Sequence, residues 1–148
     1  MSFERCNERS LEDYILEAAG EVAVAKALNI PYDPLGRGYG SPGVPIDGFG
    51  ILQVRTTADE HWCLILRPDD SDDKLFILVL AHEWPKLYIC GWLYGREGKQ
   101  QQWWGERQPG QPAYYVPQGE LRSMKTLRDE IENRRRKTNK VRSIGEAN

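Results

Sequence analysis

Long apolar segments are missing from this sequence of 148 residues. No apolar run approaches the roughly 18 residues that indicate a membrane-spanning helix. The N-terminus, MSFERCNERSLEDY, is charged from its fourth residue and has no apolar segment of the kind found in signal peptides. The sequence therefore predicts a protein that neither spans a membrane nor carries a signal peptide.

Cysteine is also scarce. The sequence has three cysteines, Cys6, Cys63 and Cys90, which is an odd number and lacks the spacing of a disulfide framework. Free thiols are typical of a reducing compartment, so we expect a cytoplasmic protein. His61 and Cys63 share one face of a predicted strand and Cys90 lies on a later strand. A zinc site made by these three is a less favoured alternative to buried thiols.

Charge is unevenly distributed along the chain. Residues 122–142 contain nine lysines and arginines and three acids, a net +6, which leaves −8 for the remainder of a chain of net charge −2. A basic end on an acidic body indicates a polyanionic partner or a solvated tail. We divide the chain into a main domain, 1–122, and a basic helical C-terminal extension, 123–148, which we expect to fray after about Lys137.

The main domain begins with a predicted helix over residues 10–29. Ser10 is a good N-cap and Asp13 occupies the capping-box position. The apolar residues of this helix form one stripe at helical spacing, made of Leu11, Ile15, Ala18, Val22 and Ala25. A loop rich in glycine and proline follows over residues 31–50.

Four strand-like runs come next, over residues 51–57, 61–67, 75–80 and 87–94. The second and third runs flank the acidic sequence DDSDD, which predicts a hairpin with a solvated tip. A polar excursion, a last short strand at AYYV and a basic helix complete the chain. The order of helix, strands and helix predicts an α+β or mixed α/β protein.

The first strand carries polar side chains in an unusual place. Alternate residues of a strand share a face, so Leu52, Val54 and Thr56 form the core face. Gln53 and Arg55 then point to the other face, and Asp47 precedes the strand. Carboxylate and amide oxygens suit Mg²⁺, and a cation can stabilise a phosphoryl transition state. The alternative is the wet face of an antiparallel strand.

The segments GEVAVAKAL and PIDGFGILQVRTT, followed by strands, resemble the PD-(D/E)xK restriction-endonuclease-like nuclease superfamily, in a degenerate form. The segments LILRPDD, GWLYGRE and AYYVPQGEL are also similar to small nuclease-like proteins of bacteria and phages. The resemblance covers roughly residues 15–122. It implies a central mixed β-sheet of four to five strands flanked by helices, in the cytoplasm of a bacterial cell or a phage-infected host.

The resemblance also implies a metal-dependent nuclease, an endo- or exonuclease acting on DNA, that uses Mg²⁺ or Mn²⁺. Glu21 and Asp47 would be metal ligands, Gln53 a weaker ligand through its amide oxygen, and Arg55 the phosphate-binding cation. Gln53 and Arg55 replace the acid and the lysine of the usual motif. Arginine cannot act as a base but can clamp a phosphate. Nucleases of this superfamily often act as dimers, so a homodimer is compatible with the resemblance.

Two alternatives belong to other functional classes. Because the motif lacks one acid, the chain could be a catalytically inactive nucleic-acid-binding protein on the same fold. It could also be a phage or host assembly protein that docks a protein partner through the aromatic residues of 95–115. Trp92, Trp103, Trp104, Tyr114 and Tyr115 could stack on bases, although core packing is the more common role of such residues.

Overall fold

The computed structural model describes residues 10–31, 44–46 and 50–146. In chain order these form α1 (Leu11–Ala27), β1 (Val44–Ile46), β2 (Gly50–Thr57), β3 (Leu64–Leu66), β4 (Leu75–Glu83), β5 (Lys86–Tyr94), α2 (Gly95–Gly98), β6 (Trp104–Gly105), β7 (Ala113–Val116) and α3 (Met124–Glu146). The described part is a mixed α+β protein, which confirms the predicted class. None of its helices has the length and apolarity needed to cross a membrane.

Helix α1 begins at the predicted cap. The Oγ of Ser10 accepts a hydrogen bond from the backbone N–H of Asp13 at 3.1 Å, and the Asp13 carboxylate accepts one from the backbone N–H of Ser10 at 3.2 Å. This pair satisfies amide donors that a helix start leaves without partners. Asn29, with a φ of 55°, follows the end of the helix. A left-handed residue at this place turns the chain out of the helix.

The main sheet has the strand order β1-β2-β4-β5. Strand β2 is antiparallel to β1 and parallel to β4, and β4 is antiparallel to β5. A central mixed sheet is therefore present, as expected. In the described residues β1 pairs with β2 only between Gly50 and Leu52, so residues 53–57 of β2 are paired on the β4 side alone.

A second, antiparallel sheet has the order β3-β7-β6. Because β3 pairs with β7, the hairpin predicted across DDSDD is wrong. The acidic loop connects strands of two different sheets. All of its residues except Asp70 are exposed, as expected, and contacts to Asp70 and Asp72 tie the loop to the protein. The hairpin in this region joins β4 to β5 through the turn at Pro85.

The two faces of the main sheet are covered differently. Helices α1 and α3 cover one face, and the small sheet covers the other. The helix-covered core contains Val24, Leu52, Val54, Ile77, Leu127 and Ile131. The core between the sheets contains Leu64, Leu66, Phe76, Leu78, Leu93 and Val116. Burying both faces explains the nearly continuous apolar sequence of β4.

Helix α1 does not present the predicted stripe to the sheet. Its buried residues are Gly20, Glu21, Val24 and Ala25, whereas Leu11 is 75% exposed and Ile15 is 48% exposed. The reason lies at Gly20, where an added Cβ would overlap Thr56 Oγ1. A residue without a side chain lets the helix approach β2 closely, and this contact sets the rotation of α1. The apolar stripe was therefore the wrong guide to its buried face.

Helix α3 is anchored by its first half. Leu127 and Ile131 are buried in the helix-covered core, and Arg128 Nε donates to the carbonyl of Ala27 at 3.2 Å. Residues 132–137 are exposed except Arg134, which is half-buried. The helix continues to Glu146, beyond the residue where we expected fraying.

Candidate functional site

The alternation predicted for β2 is present. Leu52 and Val54 are buried, with exposed fractions of 1% and 5%, and belong to the helix-covered core. Gln53 and Arg55 are half-buried and lie opposite Phe76 and Leu78 of β4, on the face toward the small sheet. The two polar residues therefore share a face, as the period of a strand requires.

Arg55 is the best-defined member of the predicted site. Its Nη2 donates to Asp70 Oδ1 at 3.0 Å, and its guanidinium carbon lies 5.4 Å from the centre of the Phe76 ring. Its Nε is buried and has no hydrogen-bond partner in the described part of the chain. The Arg55 side chain as a whole is 37% exposed, so other N–H groups of the guanidinium can reach an acceptor that enters from outside.

A cleft of about 430 Å³ surrounds Arg55. It lies where β2 is uncovered by β1, between the first half of α1 and residues of the small sheet and its flanking loops. Its lining includes the cations Arg55 and Arg67, the carboxylates Asp13 and Glu17, and the thiol of Cys63. Arginines at a concave wall are suited to hold an anion such as a phosphate.

Asp70 positions Arg55. One carboxylate oxygen accepts from Arg55, and the other accepts from the backbone N–H of Arg67 at 2.8 Å. Lys99 Nζ holds the same loop by bonds to the carbonyls of Pro68 and Asp70 and by an ion pair with Asp72. Sequence reasoning missed Asp70 because one aspartate among four in DDSDD carries no signal of its own.

Glu21 lies on the other side of the main sheet from Arg55. It is 5% exposed and follows Gly20, which faces Val54 and Thr56. Gln53 and Arg55 point away from that face. An ion that contacts both Glu21 and Gln53 must therefore lie at the edge of β2, where β1 leaves the strand uncovered.

The metal ligands expected from the resemblance are only partly placed. Asp47, the principal one, lies outside the described residues. In the described part, no three histidine, cysteine, aspartate or glutamate side chains are grouped closely enough to hold a metal ion. The other two members of the proposed set, Glu21 on α1 and Gln53 on β2, lie within the described residues.

The zinc alternative has no support from the described residues. The side chain of His61 is 87% exposed, and Cys63 Sγ accepts a hydrogen bond from Arg107 Nη1 at 2.9 Å. Burial raises the pKa of the Cys90 thiol, which disfavours the thiolate that zinc needs.

Most of the aromatic residues considered for base stacking belong to the core. Trp92 and Tyr115 are 2% exposed, and Trp92 Nε1 donates to the Thr126 hydroxyl at 2.9 Å. Trp104 is the exception, being 39% exposed and packed edge-on against Tyr114 with ring centres 4.9 Å apart. Of these residues, only Trp104 offers an exposed ring for stacking on a ligand.

The basic end of the chain forms a defined surface. Arg135, Arg136 and Lys137 are exposed on α3, and no acid occurs between Asn133 and Gly145. The helix is joined to the body through Tyr94, whose hydroxyl donates to Glu130 at 2.5 Å and accepts from Arg134 at 2.5 Å. Desolvation is the largest effect that raises the pKa of Tyr94, and the hydrogen bond to Glu130 is the next. The Tyr94 hydroxyl therefore remains protonated at neutral pH.

A second link fixes the start of α3. Arg122 forms an ion pair with Glu97 of α2 through both carboxylate oxygens. Desolvation raises the pKa of Glu97. The hydrogen bonds from Arg122 and from the Tyr94 backbone together outweigh this effect, so the pKa of Glu97 is lowered overall. Glu97 is therefore ionised at neutral pH and retains its partner.

Comparisons of the chain with models of protein families, with curated proteins and with solved structures give no match. The functional argument therefore depends on the residues themselves: the Arg55 cleft, the edge of β2 and the basic helix.

Proposed function

We propose that this protein is a metal-dependent nuclease that cleaves phosphodiester bonds in nucleic acid, with DNA as the expected substrate. The observation that carries the proposal is Arg55, a partly exposed guanidinium that Asp70 holds at the wall of an open cleft. A phosphate oxygen is an acceptor of the charge and size that this donor requires.

The chain's own residues would act as follows. Arg55 binds the scissile phosphate and stabilises the charge that develops on it. Asp70 holds the guanidinium in one orientation, which avoids the cost of ordering a long side chain during the reaction. Glu21, Gln53 and Asp47 would hold Mg²⁺ or Mn²⁺ at the edge of β2. These oxygen donors fit a hard cation, which when bound would supply the activation of the attacking water.

The basic helix supports a polyanionic substrate. Six lysines and arginines occur between residues 134 and 142 of α3, with no acid among them. Over that length an α-helix rises about 12 Å, whereas duplex DNA carries one charge per roughly 1.7 Å of its axis. Of these cations, Arg135, Arg136, Lys137 and Lys140 are exposed, and their spacing is suited to contact several phosphates.

A second candidate is a nucleic-acid-binding protein without nuclease activity. The specific observation in its favour is that Asp70 already occupies Arg55 Nη2, while Gln53 brings no negative charge to a metal. Such a site would hold a phosphate but recruit a divalent ion weakly. Both candidates bind nucleic acid, and they differ in metal binding and in cleavage.

A cleavage assay on supercoiled plasmid separates the two. Wild-type protein should nick the plasmid with Mg²⁺ or Mn²⁺ and not with EDTA, and Asp47→Asn should abolish nicking. Lys86→Gln, a change at an exposed residue remote from the cleft, should retain full activity. Binding of the plasmid without nicking under every metal condition would select the second candidate, and absence of binding would reject both.

A further inference from the structure

Among the described residues, part of the apolar surface of helix α1 is exposed. Leu11 and Ile15 are 75% and 48% exposed, and Trp84, in the turn between β4 and β5, is 50% exposed. These three are half of the six large apolar side chains that are exposed in the described part of the chain. Exposed apolar residues concentrated in one region indicate an interaction surface more strongly than scattered ones.

This surface contains both a ridge and a groove. Leu11 and Ile15 project from the first half of α1. The second half borders a groove of about 450 Å³ formed by Ala18, Ala19, Val22 and Ala23 together with Trp84 and Pro85. The alanines keep the groove shallow enough for a second helix to approach closely, and Trp84 forms its outer wall.

We infer that this face binds a second copy of the same chain, with the two α1 helices antiparallel across a two-fold axis near Ala18 and Ala19. In that arrangement the ridge of each copy enters the groove of the other. Ile15 of one copy meets Val22 of the other, and Leu11 reaches the far end of the groove beside Trp84. A two-fold interface requires such self-complementarity, because one patch must serve both partners.

Charge complementarity supports the same arrangement. Glu12 is in the first turn of α1 and Lys26 in its last turn, and both are exposed without an ion pair in the described residues. Antiparallel pairing about Ala18 and Ala19 places Glu12 of each copy beside Lys26 of the other, twice per dimer. A parallel arrangement would instead put like charges together, which is unfavourable.

The expected dimer is weak. Helix α1 has 17 residues, a length of about 25 Å, so with one flanking turn the interface falls at the small end of the range for specific complexes, below about 1,200 Å² in total. We expect a dissociation constant near 10 µM, which corresponds to roughly 7 kcal/mol of binding free energy. The inference does not depend on the proposed nuclease activity.

Analytical ultracentrifugation of the full chain over about 1 to 100 µM, a range that brackets this constant, tests the inference. Wild type should pass from monomer to dimer. Ala19→Arg places a long charged side chain at the crossing point and should raise the dissociation constant at least about tenfold, or 1.4 kcal/mol. Ala58→Arg is the matched control, because Ala58 is exposed and lies outside this face.

A charge exchange tests the antiparallel register. Glu12→Lys and Lys26→Glu should each weaken the dimer, and the double variant should restore it because the opposite charges face each other again. Circular dichroism should show that all variants are folded. A wild type that stays monomeric at the highest concentration would overturn the inference and leave the face to another occupant. Equal effects of Ala19→Arg and Ala58→Arg, or no recovery in the double variant, would also overturn it.

Discussion

Replacing Arg55 by alanine should affect activity far more than stability. The Arg55–Asp70 pair has side chains that are 37% and 19% exposed, with one bond of 3.0 Å. A partly exposed pair of this kind contributes about 1 kcal/mol, and the interaction with the Phe76 ring adds about 0.5 kcal/mol. We therefore expect the free energy of unfolding to fall by about 1 to 2 kcal/mol, measured by urea denaturation.

The effect on cleavage should be larger, because the guanidinium would stabilise charge that develops only in the transition state. Loss of one such group typically lowers the turnover rate by about 10²- to 10³-fold, or roughly 2.7 to 4 kcal/mol. The plasmid nicking rate of Arg55→Ala should fall by this factor at a temperature where the variant is folded. Arg55→Lys keeps the positive charge but loses the planar guanidinium, so its nicking rate should lie between those of wild type and Arg55→Ala.

Asp70→Asn is the control for this experiment. It removes the same ion pair but leaves the guanidinium in the cleft and in contact with Phe76, so its loss of stability should be somewhat smaller than that of Arg55→Ala and its loss of activity much smaller. Equal losses of activity in Arg55→Ala and Asp70→Asn would refute a direct role for Arg55 at the phosphate.

Three further outcomes follow from the same structure. Val54→Asp buries an unpaired charge and should lower the free energy of unfolding by about 3 to 5 kcal/mol, whereas Gln53→Ala should lower it by less than about 1 kcal/mol. A larger loss for Gln53→Ala than for Val54→Asp in urea denaturation would mean that the faces of β2 are exchanged. Neutralising Arg135 and Lys137 should make the slope of log affinity for duplex DNA against log salt concentration shallower, by about 0.9 for each phosphate that these residues neutralise in the wild-type complex. An unchanged slope would mean that α3 does not contact the DNA. The pKa of Glu97 is lowered on folding, so its contribution to stability is present above the ordinary value of 4.5 and disappears as the pH falls through the folded-state pKa. Glu97→Gln should therefore be less stable than wild type at neutral pH and equal to it in strong acid, and a constant difference in thermal melts would contradict this.

Local signals in the sequence predicted the parts of the fold that depend on neighbouring residues. The capping box at Ser10 and Asp13 located the start of α1, and strict alternation located the faces of β2. Each signal reports on interactions within a few residues along the chain.

Interactions between distant segments were the ones that sequence patterns missed. The rotation of α1 depends on the close approach of Gly20 to Thr56, and nothing in the helix alone favours that face over the more apolar one. Strand β3 pairs with β7, about fifty residues later, although a nearer partner was available in sequence. Asp70 became a site residue only because its loop folds back onto Arg55.

Metal binding measured by calorimetry tests the central claim most directly, because it does not require activity. Wild-type protein should bind Mn²⁺ or Mg²⁺, Asp47→Asn should bind neither, and Gln53→Glu should bind more tightly because it restores the acid that the motif lacks. Equal and negligible heats in all three proteins would contradict a metal site at the edge of β2, and with it the nuclease proposal.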